Sequence, residues 1–253
     1  MGVQFEWSDV QARWNEIPRP GPEAVRQARA QWRRAQIVEA GTRLMEECGF
    51  HKMTVSALAR EAGLSVGTIY QYVEDKSDIL LLVILDILDA YRRDLPLAME
   101  GHADPVERLA AGFDAYCRIV DSRRYATVLT YRESKSLREE GRKRIMALEV
   151  ETSGLLRECL EEAQAAGLVV PCDTELIAHN LTVLAHAWAL KHWRLKGHVD
   201  LDTYIAAETG LTVKAILAHG HEKRYEALTR AAVGGTTRRP RRRPAASSAP
   251  RRR

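Results

Sequence analysis

Apolar positions recur every three or four residues along most of this chain, and between Thr54 and Leu80 this spacing predicts short helices separated by turns. Thr54 is a suitable N-cap for the first of them, and Gly63 can adopt the left-handed conformation that ends it. Ser65 then caps a second helix almost at once. Helices joined so closely must cross steeply, which predicts a helix-turn-helix whose second helix can enter the major groove of DNA.

The second of these helices has two contrasting faces when it is projected at about 100° per residue. One face is expected to pack on the preceding helices and consists of Val66, Ile69 and Val73. On the opposite face Gly67 permits close approach, Thr68 offers a methyl or hydroxyl group, and Gln71 can form two hydrogen bonds to adenine. Tyr70 and Tyr72 lie between the faces, where their hydroxyls can reach phosphates. The alternative is that both tyrosines are partly buried packing residues.

These residues together resemble the DNA-binding signature of the tetracycline-repressor (TetR) family, over roughly residues 35–82. The similarity runs without a gap through Thr54, Val55, Ala59, Ala62, Gly63, Leu64, Ser65, Gly67, Thr68, Ile69, Tyr70, Tyr72, Lys76 and Leu80. It implies that DNA is contacted by Thr54, Ser65, Val66, Gly67, Thr68, Tyr70, Gln71, Tyr72 and Lys76. Val73 departs from the pattern, because the family usually has an aromatic residue there, so the packing beneath the recognition helix is expected to differ.

Lys76 lies at the start of the next predicted helix, between two acidic residues. Asp75 is placed to cap that helix, and Asp78 follows three residues later, as in a carboxylate version of a capping box. The free amides, the helix dipole and the ammonium group would then attract a phosphate of the duplex. The alternative is an ordinary solvated helix start.

Charge is unevenly distributed along the 253 residues, whose formal net charge is +4. Residues 231–253 hold eight arginines and no acid, so the remainder of the chain sums to −4. With its glycines, prolines and serines, this tail is expected to be disordered and to add non-specific attraction to phosphates. A second basic stretch precedes the helix-turn-helix. It either adds to the attraction to DNA or is an ordinary solvated surface. Its arginines are Arg19, Arg26, Arg29, Arg33 and Arg34.

The domain organisation predicted from these patterns is all-α. We expect a partly flexible N-terminal extension (1–30), a helix-turn-helix domain (31–82), a helical ligand-binding and dimerisation domain (83–230) and the tail. Helical spacing, without strand-like alternation, predicts helices over 76–99 with an interruption near Pro96, 105–121, 125–135, 141–166, 174–196 and 201–225. The expected breaks between the later helices are Gly101, Ser122, Gly141, Gly167 with Pro171, and Gly197.

The helix predicted over 174–196 is apolar nearly all round, so it requires cover on two sides. The dimer surface of the resembled family lies at this position, which implies a homodimer whose two-fold axis matches a palindromic operator in double-stranded DNA. The stripe expected at that interface is Ile177, Leu181, Leu184, Trp188 and Leu195. The alternative is a helix buried in a monomeric core.

A pocket for a small, mostly apolar effector is expected inside the second domain, lined by aromatic and a few polar side chains. The candidates are Phe113, Tyr116, Tyr125, Tyr131, Asn180, Val183 and His186, each of which is alternatively a core residue. The polar run 131–136 either binds an anionic group or simply caps a helix. We predict a ligand-responsive transcriptional regulator, more specifically a repressor by the resemblance. The competing class is a ligand-independent architectural DNA-binding protein.

Other functions find little support in the sequence. Nucleophile elbows, phosphate loops, dinucleotide fingerprints and zinc-hydrolase motifs do not occur, so we predict neither an enzyme nor a cofactor. The four cysteines are widely spaced, which favours reduced thiols, and the histidines between 179 and 198 lack partners for a metal site. Charges near the N-terminus and the lack of a long apolar run predict no signal peptide, no membrane span and a cytoplasmic protein.

Overall fold

The computed structural model describes residues 21–230, which form helices connected by short turns. In chain order the helices are α1 (Pro22–Cys48), α2 (Val55–Glu61), α3 (Val66–Ile69), α4 (Lys76–Met99), α5 (Pro105–Ser122), α6 (Arg124–Glu133), α7 (Glu139–Ala165), α8 (Thr174–Leu190), α9 (His192–Leu195), α10 (Leu201–Ile216) and α11 (Glu226–Thr229). Short 3₁₀ helices occupy Phe50–Lys52 and Ser134–Ser136. The Arg-rich tail lies outside the described residues, as does Arg19.

The chain forms two compact units whose limits differ from a simple division along the sequence. Among the described residues, the first unit combines 21–94 with 119–152, and the second combines 95–118 with 153–230. Residues 119–152, expected from the sequence within the second domain, therefore pack with the helix-turn-helix. The N-terminal boundary expected near residue 30 falls inside α1, which is a continuous helix.

The first unit is built around a buried aliphatic core. Ile37 and Met45 of α1, Leu58 of α2, Ile69 of α3 and Ile79 of α4 are all fully buried. Gly41 of α1 is needed where α1 meets α4, because an added Cβ would lie 3.2 Å from the Ile79 side chain. This core fixes α2 and α3 on the adjoining helices.

The second unit has a larger share of aromatic side chains in its core. Phe113 and Tyr116 of α5 are buried, as are Trp188 of α8 and Tyr204 of α10. Gly112 of α5 is packed so closely that an added Cβ would approach Leu156 to 2.9 Å. These contacts bring α5, α7, α8 and α10 around one apolar interior.

Two predicted helix breaks are absent. Pro96 lies inside α4, because a proline removes only its own N–H donor and the helical hydrogen bonds resume when the Glu100 amide donates to the Pro96 carbonyl at 2.9 Å. Gly141 lies in the first turn of α7 rather than before it. There a Cβ would come within 3.3 Å of the Leu81 side chain, so the glycine serves close helix packing instead of chain reversal.

Two helices end earlier than their apolar patterns suggested. α10 stops at Ile216 instead of continuing to 225, because Leu217 turns to an extended conformation and forms an antiparallel bridge with Val169. The Val170 amide donates to the Ile216 carbonyl at 2.8 Å, a long-range pairing that helical periodicity does not reveal. α8 ends at Leu190, and 192–195 form the separate turn α9.

Candidate nucleic-acid interface and ligand site

Side-chain caps position the helix-turn-helix. The Thr54 hydroxyl accepts a hydrogen bond from the Ala57 amide at 3.1 Å, and the Ser65 hydroxyl accepts one from the Thr68 amide at 3.0 Å. Between the two caps Gly63 has φ 65°, a left-handed conformation that is costly for residues with a side chain. The sequence therefore encodes this turn locally.

The buried side of α3 is narrower than the sequence predicted. Ile69 and Val73 are buried, whereas Val66 is 39% exposed. The expectation that Val66 packs on the preceding helices was therefore wrong, because α3 has only four residues and one turn cannot bury both ends of the predicted stripe. An exposed Val66 is consistent with the DNA-facing role that the family resemblance implies for it.

The outer side of α3 presents small and polar groups to solvent. Gly67 and Gln71 are exposed, and Thr68 is half-buried with its hydroxyl 2.8 Å from the Ser65 hydroxyl. A Cβ added at Gly67 would meet nothing closer than the Ser65 hydroxyl at 3.8 Å. Packing within the protein therefore does not require glycine here, which is compatible with a binding partner that approaches the backbone.

The two flanking tyrosines differ in exposure. Tyr70 is 54% exposed, whereas Tyr72 is half-buried. The alternative that both tyrosines are packing residues therefore applies in part to Tyr72 and hardly at all to Tyr70. Both residues remain candidates for phosphate contact because a Tyr hydroxyl stands at the far end of its ring.

Lys76 is held at the junction of two elements. Its ammonium group donates to the His51 carbonyl at 2.7 Å and lies 4.6 Å from the centroid of the Phe50 ring. An ammonium group has three donors, so this contact orients the side chain and leaves protons for a phosphate. Lys76 is the first residue of α4, but the Ser77 and Asp78 amides that follow it donate to the Asp75 carboxylate and are not the free amides expected from the sequence.

Carboxylates close the turn before α4 in a reciprocal arrangement. The Asp75 carboxylate accepts from the amides of Ser77 at 2.7 Å and Asp78 at 3.2 Å, and the Asp78 carboxylate accepts from the Glu74 amide at 2.8 Å. A hydrogen bond from the Ser77 hydroxyl is the largest effect that lowers the pKa of Asp75, although burial opposes it. The Asp78 carboxylate also accepts from the Asp75 amide at 3.4 Å, so both reciprocal bonds of the carboxylate capping box predicted from the sequence are present.

Arg138 is a residue that the sequence analysis missed. It directly precedes α7, and its guanidinium donates to Glu74 at 3.0 Å and also to Asp78. The sequence did contain a signal. A cation at a helix N-terminus is opposed by the helix dipole, so its presence there indicates a negatively charged partner. Its partners lie sixty or more residues away, so their identity required the fold.

The basic stretch before the helix-turn-helix lies at the other end of α1 from Lys76. Arg34 approaches Asp89 on α4 to 3.8 Å, and Arg33 lies about 22 Å along the helix axis from Cys48. Arg26 also pairs with Glu23, so part of the positive charge of this stretch is neutralised within the protein, and its contribution to DNA attraction stays a prediction.

The seven candidate ligand residues are divided between the two units. Phe113, Tyr116 and His186 are buried in the second unit, whereas Asn180 and Val183 are exposed there. The other two belong to the first unit: Tyr125 donates to the Met45 carbonyl, and Tyr131 is 51% exposed. Helical periodicity placed these residues on suitable faces but could not tell which faces meet.

His186 and Tyr116 form a buried polar pair. The Tyr116 hydroxyl lies 3.3 Å from His186 Nε2, and the ring centroids are 5.6 Å apart. Burial lowers the pKa of His186 to about 4, so the imidazole is neutral at pH 7. A neutral imidazole can donate from one nitrogen and accept at the other.

A cleft of about 640 Å³ opens between α5, α10 and α11 in the second unit. Six of its fourteen lining residues are small or aliphatic, namely Ala110, Ala111, Ile205, Ala206, Ala227 and Leu228, and most of the others are polar or charged. Thr209 also lines it, and its buried hydroxyl has no hydrogen-bond partner among the described residues. At the rim Arg118 is held by Asp114 and Asp202, each at 2.8 Å. Size and composition make this cleft a candidate small-molecule site.

Two of the five residues in the predicted dimer stripe are buried. Leu181 and Trp188 are buried within the second unit, and Ile177, Leu184 and Leu195 are half-buried. The two buried side chains are unavailable to a partner because the protomer's own core already covers them. The exposed apolar groups in this region are Leu176, Val183, Trp193 and Leu211.

Residues 21–230 contain neither a metal site nor a membrane-spanning helix. No group of three His, Cys, Asp or Glu side chains in that range is arranged to hold a metal ion. Cys48, Cys117, Cys159 and Cys172 are free thiols, and burial is the main cause that raises the pKa of Cys117 and Cys159. Among the same residues no helix is long and apolar enough to cross a bilayer.

This geometry defines a helix-turn-helix DNA-binding protein with a second helical domain. Residues 37–83 match the family model described as bacterial regulatory proteins, tetR family, and residues 102–216 match the tetracyclin repressor-like C-terminal domain. The HTH-type transcriptional regulator HbdR of Aromatoleum sp. (strain CIB) is 40% identical over 185 residues, which cover 73% of this chain and 81% of HbdR. The chain therefore belongs to the TetR family of DNA-binding transcriptional regulators, which are not enzymes.

Solved structures share the fold. PfmR, a TetR-family regulator from Thermus thermophilus, aligns with a TM-score of 0.63 and 25% identity over 70% of this chain and 97% of its own. AibR, solved in complex with isovaleryl coenzyme A and operator DNA, aligns with a TM-score of 0.61 and 20% identity over 71% of this chain and 97% of its own. At that identity the likeness to AibR concerns the fold alone.

Proposed function

We propose that this protein is a homodimeric repressor that leaves a palindromic operator when a small, mostly apolar molecule binds its second domain. The observation that carries the proposal is the exposed surface of α3 and of the turn after it, where Gly67, Tyr70 and Gln71 are exposed while Ile69 is buried. Groups of this kind on one helical turn suit the edges and backbone of a major groove.

Base reading is assigned to Gln71 and backbone anchoring to Tyr70 and Lys76. With an operator selected from random-sequence duplexes, Gln71→Ala should lose about 1–3 kcal/mol of discrimination at one base pair and keep its non-specific affinity. Tyr70→Phe and Lys76→Ala should instead weaken binding to all operator variants alike. Binding titrations against a panel of single-base operator variants distinguish the roles, and an equal loss on every variant for Gln71→Ala would reassign Gln71 to phosphate.

Dimerisation is assigned to the exposed apolar side of α8 and α10. Val183 is 43% exposed and Leu211 is 54% exposed, and large apolar groups left in solvent on neighbouring helices favour association. Leu211→Glu should shift the protein to a monomer in sedimentation analysis and abolish high-affinity operator binding. Leu97→Glu is the matched control, since Leu97 is 64% exposed but lies on α4. A Leu211→Glu protein that remains dimeric would exclude this surface.

The effector is assigned to the cleft between α5, α10 and α11. The cleft is lined by six small or aliphatic residues together with several charged ones, which favours a molecule with an apolar body and a polar head group. The complex of AibR with isovaleryl coenzyme A supports including acyl thioesters among the candidates. In this chain the rim arginine Arg224 pairs with Asp104, so an acidic head group would have to compete with that carboxylate.

The test is release of a labelled operator by a panel of short and medium carboxylic acids and their coenzyme A thioesters. Ala206→Trp fills part of the cleft and should abolish the response while leaving operator affinity unchanged. Lys214→Trp, on the exposed side of α10, is the control and should respond normally. Since coupling is reciprocal, operator DNA should weaken binding of the active compound by the same factor.

The alternative function, a ligand-independent architectural DNA-binding protein, is favoured only by the eight arginines after residue 230. It predicts that binding is similar on all duplexes and collapses when residues 234–253 are deleted. The repressor proposal predicts that the deletion lowers non-specific affinity and its salt dependence and spares operator recognition.

A further inference from the structure

The N-terminal end of α7 is bound to the acidic turn that connects the recognition helix to α4. Arg138 donates to the Glu74 carboxylate at 3.0 Å and to one oxygen of Asp78, and it lies 3.9 Å from Asp75. Leu137 beside it is buried. This contact comes from residues 119–152, which pack with the helix-turn-helix although the helix-turn-helix family model ends at residue 83.

The Asp78 carboxylate connects Arg138 to the backbone of the turn. One of its oxygens binds Arg138, and the other accepts the Glu74 amide at 2.8 Å. Glu74 directly follows Val73, a buried residue that lies four positions after the end of α3. Hydrogen bonds therefore link Arg138, through the Asp78 carboxylate, to the backbone of the turn that connects α3 to α4. Lys76 lies at the α4 end of this turn.

Charge at this turn is unfavourable for DNA unless it is neutralised. Glu74, Asp75 and Asp78 supply three carboxylates beside a single cation, Lys76. At physiological salt the Debye length is about 8 Å, so acids this close to a phosphate site repel the duplex. Arg138 neutralises one of these three negative charges and donates hydrogen bonds to two of the carboxylates.

Close packing supports the same contact independently of charge. Gly141, one turn after Arg138, lies against Leu81 of α4, where an added Cβ would be 3.3 Å from the Leu81 side chain. Glycine at this position lets the start of α7 approach the first turns of α4. The ion pairs are therefore accompanied by a close contact between the first turns of α7 and α4.

We propose that Arg138 is a positioning residue for DNA binding, which neutralises the Glu74–Asp78 turn and holds Lys76 and the recognition helix in the orientation that operator DNA requires. This makes the segment 119–152 a part of the DNA-binding unit. A displacement of that segment would then change operator affinity without any change within α2 or α3.

The experiment measures operator affinity for Arg138→Gln in the full-length protein, on a duplex selected from a random pool by the wild-type protein. We expect a loss of about tenfold at low salt, within the range by which residues without ligand contact modulate coupling. Lys143→Ala is the control, because Lys143 has the same charge and pairs with Glu139 within α7 at 2.7 Å. It should bind like wild type.

The double variant Arg138→Gln with Glu74→Gln separates the possible roles. Removing one unneutralised acid should restore at least half of the lost affinity on a logarithmic scale. A loss that Glu74→Gln does not rescue, with a salt slope reduced by about one ion, would make Arg138 a direct phosphate ligand and overturn the proposal. A lower melting temperature with unchanged operator affinity would give Arg138 a purely structural role and overturn it as well.

Discussion

The two units of this protein place their polar groups in opposite ways. In the first unit Gly67 of α3 is exposed, as are Tyr70 and Gln71 in the turn that follows it. In the second, Tyr116, His186 and Thr209 are buried among apolar helices. A surface that reads DNA needs accessible groups on a rigid support, whereas buried polar groups are suited to selecting a ligand because leaving them unpaired is costly. The first arrangement is encoded locally, and the second depends on long-range packing.

The largest expected effect separates the buried and exposed ends of α3. Ile69→Ala should lower the free energy of unfolding by about 3 kcal/mol, because it leaves a cavity in a fully buried site. Val66→Ala, at an exposed position of the same helix, should change it by less than about 0.5 kcal/mol. Urea denaturation of both variants measures the contrast, and similar losses would mean that Val66 is buried in solution.

A second contrast concerns pH. His186 has a pKa lowered to about 4 from an ordinary value of 6.5, so the unfolded chain takes up a proton before the folded protein does. Stability from the neutral imidazole is therefore present above pH 6.5 and is lost as pH falls toward 4. Between pH 7 and pH 5 the loss should be about 2 kcal/mol.

The check is to compare wild type with His186→Gln at both pH values by urea denaturation. The variant should lack this part of the pH dependence, since all other titrating groups are shared by the two proteins. Parallel pH profiles would mean that His186 is accessible to protons in the folded state.

A smaller effect is expected from the local capping of the recognition helix. Ser65→Ala removes the acceptor for the Thr68 amide and should lower the free energy of unfolding by about 1 kcal/mol. Operator affinity should fall further than this stability loss alone explains, because α3 loses its fixed start. Thermal denaturation and operator titration on one sample provide both numbers, and intact operator affinity would mean that the cap is dispensable for α3.

The smallest expected change in the free energy of unfolding is in the cleft, where a substitution should stabilise the protein. Thr209→Val replaces an unpartnered buried hydroxyl by a methyl group of similar size and should raise the free energy of unfolding by roughly 0.5–1 kcal/mol. The gain should come with a weaker effector response if the hydroxyl serves a ligand. Destabilisation would indicate that the hydroxyl is satisfied in solution.

Sequence patterns were most informative where the chemistry is local. The caps Thr54 and Ser65, the turn at Gly63 and the carboxylates around Lys76 each act within about one helical turn, so residue identity and spacing were sufficient to predict them. The predicted positions of the main helices agree with the structure to within a few residues in most cases. Ends fixed by distant partners, such as that of α10 beside Val169, were missed.

Some residues of the predicted ligand and dimer sets lie elsewhere in the structure than expected, for a common reason. Periodicity along α8 identifies several apolar faces but not which face meets α5 or α10, so Leu181 and Trp188 were assigned outward although both are buried. The same limitation grouped Tyr125 with Tyr116, although they belong to different units.

The sequence by itself determined the all-α class, the helix-turn-helix and the outward placement of Gly67 and Gln71, because a turn of helix contains its own spacing and capping signals. Only the tertiary structure decided that Arg138 binds the turn before α4, that Val66 is exposed, and that a cleft lies between α5, α10 and α11. These features join residues that are tens to about a hundred positions apart, and their pairing is decided by which helical faces pack together.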